Sequence, residues 1–283
     1  MATNKTTKKA AASTAAKKTA SSGKTLTKAK QVEPKTVAEA KTREEFQGYW
    51  HLTDDEVLLR SPDPEDEYKT SDSWRVFRIM GEFVGGFDDL ATVTRGVSIF
   101  GSARTKEKDK YYKAARETAK LLGKKGFEII TGGGPGIMQA ANQGAQDAGA
   151  RSIGCNIELP MEQQPNPFQN KSLTFKYFFV RKTMFIKYSN AYIIFPGGFG
   201  TMDELFEALT LIQTRKIRNF PVVLFGSSYW KGLLSWLTST MLNEKMINAA
   251  DLGLLYLTDS PKDAVDFIAR TCMTEPELPS ARM

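Results

Sequence analysis

Short apolar runs alternate with stretches of helical apolar spacing through most of the chain. The runs that we interpret as buried strands are 97–100, 127–130, 152–157, 173–180, 191–195, 220–225 and 254–257. Helical spacing is present over 109–125, from 136, from Arg181-Lys182, over 201–214, over 229–242 and from Pro261. Such alternation predicts βαβ units with right-handed crossovers. We therefore expect an α/β fold, a Rossmann-like doubly wound parallel sheet in three layers.

The rest of the chain divides into tails and an arm. Residues 1–45 consist mainly of Lys, Ala, Thr and Ser without an aromatic side chain, so we expect a disordered basic tail. A targeting peptide and loose contact with polyanions are the alternatives, although the tail lacks arginine-rich and apolar stretches. Residues 46–93 are expected to form an arm that ends in an amphipathic helix from Trp74. The α/β domain then covers 94–275, and 276–283 form a C-terminal tail.

Charge and rare residues exclude several classes of function. Residues 1–30 hold eight lysines and no acidic residue, whereas the remainder has 31 basic and 32 acidic residues, which argues against specific nucleic-acid binding by the domain. No run approaches the roughly 18 apolar residues of a membrane span. The two cysteines and the single histidine, His51, make a disulfide framework, a metal site and histidine catalysis improbable. We expect a cytoplasmic protein with no metal and no cofactor.

Three loops that are rich in glycine or small residues follow predicted strands, at 101–104, 131–136 and 196–201. In a parallel sheet they converge on one crevice near the point where the strand order reverses. In the third loop, Thr201 is a candidate helix N-cap with Glu204 as its capping-box partner. The alternative is that this loop binds a phosphate at the helix N-terminus while Glu204 faces a reacting sugar.

The glycine loops do not match a redox-cofactor signature. Ile137 and Asp203 occupy the positions where a dinucleotide fingerprint requires its third glycine. The residues alone therefore favour a nucleotide or sugar-phosphate pocket and leave the reaction open.

Three motifs in order resemble the Lonely Guy family, the phosphoribohydrolases that activate cytokinins and that were long mislabelled as lysine decarboxylases. They are 131–138 (TGGGPGIM), Arg181-Lys182 and 196–204 (PGGFGTMDE), and the resemblance covers about 95–270. It implies hydrolysis of the N-glycosidic bond of a purine nucleoside 5′-monophosphate, either AMP or a cytokinin riboside 5′-monophosphate. The bacterial branches of the family include AMP nucleosidases. The resemblance also implies a homodimer or a higher homo-oligomer.

The resemblance assigns roles by motif position. Glu204 matches the catalytic glutamate, and Arg181 matches a catalytic arginine that orients Glu204 or contacts the leaving base. A carboxylate beside the anomeric carbon suits an oxocarbenium-like transition state. The alternative for Arg181-Lys182 is a solvated pair at a helix start. The expected substrate and phosphate ligands are Lys182, Gly132, Gly133, Gly134, Gly197, Gly198, Gly200, Thr201, Thr210, Glu162 and Ser102.

Some of these assignments have open alternatives. Thr210 is otherwise an ordinary helix threonine, Glu158 competes with Glu162 for the ribose, and Arg104 joins Ser102 as a candidate at the end of the first strand. The competing function is a non-catalytic nucleotide or molybdenum-cofactor carrier on the same fold. The presence of both Glu204 and Arg181 favours the enzyme. The preferred base is not indicated.

Overall fold

The computed structural model describes residues 53–60, 71–159 and 164–273, and the predicted tails lie outside them. One parallel sheet has the strand order β4-β3-β2-β1-β5-β6-β7. Its strands are β1 (Gly96–Phe100), β2 (Glu128–Thr131), β3 (Ser152–Ile157), β4 (Lys171–Phe175), β5 (Ser189–Ile194), β6 (Val222–Phe225) and β7 (Leu255–Thr258). This order confirms the doubly wound α/β fold.

The helices of the described residues precede, connect and follow these strands. They are α1 (Asp54–Leu58), α2 (Asp72–Leu90), α3 (Lys110–Lys124), α4 (Ile137–Asp147), α5 (Phe178–Tyr188), α6 (Phe199–Gln213), α7 (Ser227–Trp236), α8 (Ala249–Leu252) and α9 (Pro261–Met273). A π-helical segment, Leu237–Leu242, continues α7. None of the helices in the described part of the chain is long and apolar enough to cross a membrane.

Alternating strand side chains build two separate cores, one on each face of the sheet. In β5, Ile193 packs with α3, α4 and α9, whereas Tyr192 and Ile194 pack with α2, α5, α6 and α7. Both faces are apolar because helices cover both, which explains the continuous apolar strand runs of the sequence. The three-layer arrangement follows from this burial.

The strand order reverses between β1 and β5. Phe100 pairs with Ile194 in register, and two further hydrogen bonds continue the pairing beyond the strands. The N–H of Phe195 donates to the carbonyl of Phe100 at 2.8 Å, and the N–H of Ser102 donates to the carbonyl of Pro196 at 2.9 Å. The first and third predicted loops are therefore held side by side where ligands bind in such sheets.

The prediction for the segment 173–180 was wrong in part. The strand ends at Phe175 and α5 begins at Phe178, so Arg181 and Lys182 lie at the end of the first helical turn. Aromatic and β-branched residues at 177–180 fit both a strand and a buried helix. Tertiary packing of Val180, which is fully buried, decides for the helix.

Candidate active site

A cavity of about 890 Å³ opens at the junction of β1 and β5. All three predicted loops contribute to its wall, together with the first turns of α5 and α6. The lining residues that come from the loops and helix starts include Gly101, Ser102, Arg104, Gly132, Phe178, Arg181, Gly197, Gly198, Phe199, Gly200, Thr201 and Glu204. The volume lies in the range of small-molecule sites. The predicted convergence of the loops is therefore observed.

Helix α6 starts earlier than the capping-box interpretation requires. Gly198 is its N-cap residue, and the N–H groups of Thr201 and Met202 both donate to the Gly198 carbonyl at 3.0 Å. The capping box of Thr201 and Glu204 is therefore wrong, because Glu204 lies one turn too far along the helix. The shift places its carboxyl group on the cavity wall instead of at the helix end.

The glycines of the α6 loop differ in what surrounds them. A Cβ atom added to Gly197 would lie 2.1 Å from the Thr201 hydroxyl, so Gly197 is needed for the close packing of the loop. A Cβ at Gly198 or Gly200 would meet no protein atom within 4 Å. The first N–H groups of a helix lack acceptors within the helix. The loop therefore has room for an anion close to its backbone.

Glu204 is a buried carboxyl group with an unsatisfied oxygen. Its residue is only 4% exposed, and Oε2 has no hydrogen-bond partner among the described residues. Burial raises the pKa of Glu204 to about 7, although the cations of Lys182 and Arg181 oppose that rise. A carboxyl group that is half-ionised at neutral pH in a cavity wall is typical of an acid–base or charge-stabilising residue.

Arg181 presents a guanidinium group without a hydrogen-bond or ion-pair partner in the described part of the chain. No hydrogen bond or ion pair joins it to a described residue, and its Nε is buried and unsatisfied. The guanidinium carbon lies 5.0 Å from the Phe178 ring centroid and 5.6 Å from that of Phe185. Burial lowers the pKa of Arg181, and the Glu204 carboxylate partly offsets this effect. The cation is therefore held between aromatic rings and open to a ligand.

Lys182 lies behind this wall and does not line the cavity. Its Nζ forms ion pairs with Asp203 at 2.8 Å and Glu207 at 2.9 Å, and it lies 3.7 Å from Oε1 of Glu204. The structure therefore places this lysine as a countercharge to the acidic side of α6. Its predicted role as a substrate ligand stays a prediction.

The second glycine loop reaches the cavity only through Gly132. The N–H of Gly133 donates to the Thr131 hydroxyl at 3.0 Å, and its carbonyl accepts from Gln169 at 2.8 Å. The Asn166 side chain donates to the carbonyls of Gly133 and Gly134, both at 3.0 Å. Gly133 and Gly134 therefore hold the conformation of the loop on the side away from the cavity. Their direct contact with phosphate stays a prediction.

The remaining candidates lie in different environments. Ser102 lines the cavity, where its hydroxyl accepts the N–H of Arg104 at 3.1 Å. Thr210 is exposed outside the cavity lining, and its hydroxyl donates to the Phe206 carbonyl at 2.7 Å. Glu162 lies outside the described residues, whereas Glu158 is described and does not line the cavity. The choice between the two glutamates stays open.

Sequence reasoning missed several wall residues. Tyr229 lines the cavity, and its hydroxyl donates to the Gly197 carbonyl. It follows the carboxyl end of β6, the edge where ligand residues are expected. Phe178 and Phe185 flank Arg181 at i−3 and i+4, the spacing of neighbours on one helix face. The position of Tyr229 after a predicted strand and the spacing of the two phenylalanines around Arg181 are both visible in the sequence.

The fold and this site define a class of protein, namely doubly wound α/β domains with an open, glycine-rich helix start and a buried carboxyl group at the strand reversal. Within that class the chain belongs to the Lonely Guy family. The family model described as "Possible lysine decarboxylase" matches residues 138–268.

Curated relatives share moderate identity with this chain. An Arabidopsis thaliana protein named "Probable cytokinin riboside 5′-monophosphate phosphoribohydrolase" is 31% identical over 145 residues, which cover 50% of this chain and 71% of that protein. A second Arabidopsis thaliana phosphoribohydrolase of the same substrate name is 27% identical over 192 residues, covering 64% and 88%. A protein of Oryza sativa subsp. japonica with the "Probable" form of that name is 26% identical over 178 residues, covering 61% and 69%.

Solved structures of similar fold include a molybdenum cofactor carrier protein from Chlamydomonas reinhardtii. Its TM-score is 0.49 at 21% identity, and the match covers 64% of this chain and 99% of that one. A molybdenum cofactor binding protein from Rippkaea orientalis has a TM-score of 0.46 at 22% identity, with coverage of 62% and 94%.

Replacement of Gly133 by alanine should destabilise the fold through two separate effects. Gly133 has φ +74°, and an added Cβ would lie 1.9 Å from Oδ1 of Asn156. Gly149 has φ +68° with no atom within 4 Å of an added Cβ, so Gly149→Ala isolates the backbone cost of about 1–2 kcal/mol. We expect Gly133→Ala to lower the free energy of unfolding by about 1–3 kcal/mol more. Chemical denaturation measures both, and equal losses would contradict the packing of this loop.

The raised pKa of Glu204 should reduce stability as the pH rises. The folded protein retains this proton up to about pH 7, whereas the unfolded chain releases it near the ordinary value of 4.5. The free energy of unfolding therefore falls between these pH values, by up to about 1.4 kcal/mol per unit. Glu204→Gln cannot ionise, so its stability relative to wild type should increase from pH 4.5 to 7 and remain constant above.

Denaturation at several pH values tests this dependence. Glu117→Gln is the control, since Glu117 is exposed on α3 and lies outside the cavity. If the curves of wild type and Glu204→Gln run parallel, Glu204 titrates normally in the folded protein.

Proposed function

We propose that this protein hydrolyses the N-glycosidic bond of a purine nucleoside 5′-monophosphate, releasing free base and ribose 5-phosphate. Membership of the Lonely Guy family and the names of its relatives support this class of reaction. The choice of AMP or a cytokinin riboside 5′-monophosphate as substrate is part of the proposal. The self-association that the resemblance implies also stays a prediction.

The observation that carries the proposal is that Glu204 and Arg181 both line the cavity while each has a polar group without a partner among the described residues. Glu204 has a buried oxygen without a partner, and Arg181 has a guanidinium group without a partner among the described residues. Leaving both groups unsatisfied costs stability. A ligand that accepts from the arginine and develops positive charge beside the carboxylate satisfies both, as a nucleotide does during glycosidic cleavage.

In this mechanism Glu204 acts in its ionised form. Its carboxylate stabilises the oxocarbenium-like sugar as the bond from C1′ to the base breaks. The base leaves with the electron pair of the broken bond. The same carboxylate orients water for attack on C1′ and accepts a proton from it as the new C–O bond forms, and uptake of one proton by the departing base balances that loss. A pKa of about 7 suits this exchange at neutral pH. Arg181 orients Glu204 or donates a hydrogen bond to the departing base.

The start of α6 provides the place for the 5′-phosphate. The open space at Gly198 and Gly200 lets the phosphate approach the N–H groups of Gly198, Phe199 and Gly200 at the helix start. The positive end of the helix dipole favours its charge. Because Glu204 follows Gly200 by one turn, a phosphate bound here places the ribose near the carboxylate.

Replacement of Glu204 should separate binding from chemistry. Purified Glu204→Gln is expected to bind AMP and to release adenine at least about 100-fold more slowly than wild type, because the neutral amide cannot stabilise the cation. Chromatography of adenine and ribose 5-phosphate measures the rate, with Glu117→Gln as the active control. Isopentenyladenosine monophosphate and adenosine run in parallel. The first substrate tests base preference, and the second should react poorly because it lacks the phosphate.

Each alternative has its own outcome. Equal rates for wild type and Glu204→Gln would refute the assigned mechanism. Binding of nucleotide without release of base from any substrate would favour the non-catalytic carrier.

Replacement of Gly200 should raise stability and weaken substrate binding. Alanine favours a helix by up to about 1 kcal/mol over glycine, and the added Cβ meets no protein atom. That Cβ would, however, occupy the space proposed for phosphate, so the KM for AMP should rise by about tenfold or more. Gly81→Ala is the matched control, since Gly81 lies in α2 with the same open surroundings. An unchanged KM in Gly200→Ala would contradict the placement of phosphate.

A further inference from the structure

Helix α5, which carries Arg181, has no N-terminal cap of its own. Its N-cap residue, Tyr177, makes no side-chain hydrogen bond to the helix start. Two carboxylates from the preceding arm replace that cap. Glu82 of α2 accepts the N–H groups of Lys176 at 2.6 Å and Tyr177 at 3.2 Å, and Asp55 of α1 accepts the N–H of Phe178 at 3.1 Å.

An ion-pair network connects the same elements. Asp54 of α1 lies 3.4 Å from Nζ of Lys176 and 3.5 Å from Nη1 of Arg78 on α2. The arm therefore contacts the start of α5 through three neighbouring acidic side chains from two helices. Anionic groups are favourable at a helix N-terminus, where the N–H groups lack intrahelical partners.

Packing continues this contact along the whole of α5. The Phe83 and Phe179 rings lie 6.4 Å apart, and the Tyr188 hydroxyl donates to the Phe87 carbonyl at 3.1 Å. A Cβ added to Gly86 would lie 2.9 Å from the terminal carbon of Met184. Helix α2 therefore fixes both ends of α5.

The position of Arg181 depends on this helix start. Its N–H donates to the Tyr177 carbonyl at 3.2 Å, so the residue held by Glu82 is also the first hydrogen-bond partner of Arg181 in the helix. The guanidinium group has no partner of its own among the described residues. Its placement over the cavity therefore comes from the backbone of α5 and from the flanking aromatic rings.

We propose that Glu82, together with Asp55, is a positioning residue that sets Arg181 and Phe178 in the active-site wall by capping α5 from the N-terminal arm. The proposal rests on the proposed function, because it assigns Arg181 a part in the reaction. A loose first turn displaces the cation from its reacting geometry, and small displacements of such groups lower rates strongly.

The test compares three variants with AMP as substrate. Glu82→Ala removes both acceptors and should lower kcat about tenfold, whereas the KM should stay within about twofold because the phosphate site belongs to α6. Glu82→Gln keeps one acceptor oxygen and should fall between Glu82→Ala and wild type. Asp89→Asn is the control, since Asp89 lies on the same helix and its ion pair, at 2.9 Å, joins Lys171 of β4 and not α5.

Hydrogen exchange provides a readout besides activity. The amides of 176–178 should exchange faster in Glu82→Ala than in wild type or Asp89→Asn, at a temperature where all variants remain folded. Faster exchange with an unchanged kcat would overturn the positioning role, and unchanged exchange would overturn the cap itself. Absence of adenine release by wild type would refute the proposed function instead, so the two failures are distinguishable.

Discussion

The pairing of β1 with β5 is the constraint on which the site depends. These strands are adjacent in the sheet although 88 residues separate Phe100 from Ser189, and the strand order reverses between them. After the carboxyl ends of these two strands, the chain continues towards opposite edges of the sheet, which opens a crevice between them. The three glycine-rich or small-residue loops reach that crevice. Arg181 and Glu204 line the same cavity, from the first turns of α5 and α6. A shift in this pairing would separate all of them at once.

The site is maintained at a cost in stability. Glu204 is buried with an unpaired oxygen, and Arg181 is half-buried with no hydrogen bond or ion pair from its guanidinium group to a described residue. Lys182 supplies a nearby positive charge, but it is shared with Asp203 and Glu207. Charged groups in protein interiors are normally paired. Charged groups that lack a full set of partners are therefore typical of binding and catalytic sites.

Much of this arrangement is predictable from the sequence, and the exceptions have physical causes. The strand runs and glycine loops predicted the sheet and the convergence at its edge, because burial on both faces leaves a strong apolar signal. The start of α6 was misplaced because Thr201 and Glu204 satisfy the spacing of a capping box, whereas Gly198 forms the actual cap. The start of α5 was misplaced because 177–180 suit either structure. Asn166 and Gln169 hold the second glycine loop through hydrogen bonds to Gly133, which is more than thirty residues away in the sequence. Local sequence patterns do not reveal such contacts.

The cap on α5 has a consequence for where this protein begins as a physical unit. Sequence similarity to the family model starts at residue 138, within α4, and the arm lies far upstream of that point. Yet acidic residues at 54, 55 and 82 bond to Lys176, Tyr177 and Phe178, where a helix that lines the cavity begins. The match to the family model therefore begins well after the residues that support this wall of the cavity. A fragment trimmed to 138–268 would retain Arg181 and Glu204 but would lose the acidic side chains that cap α5.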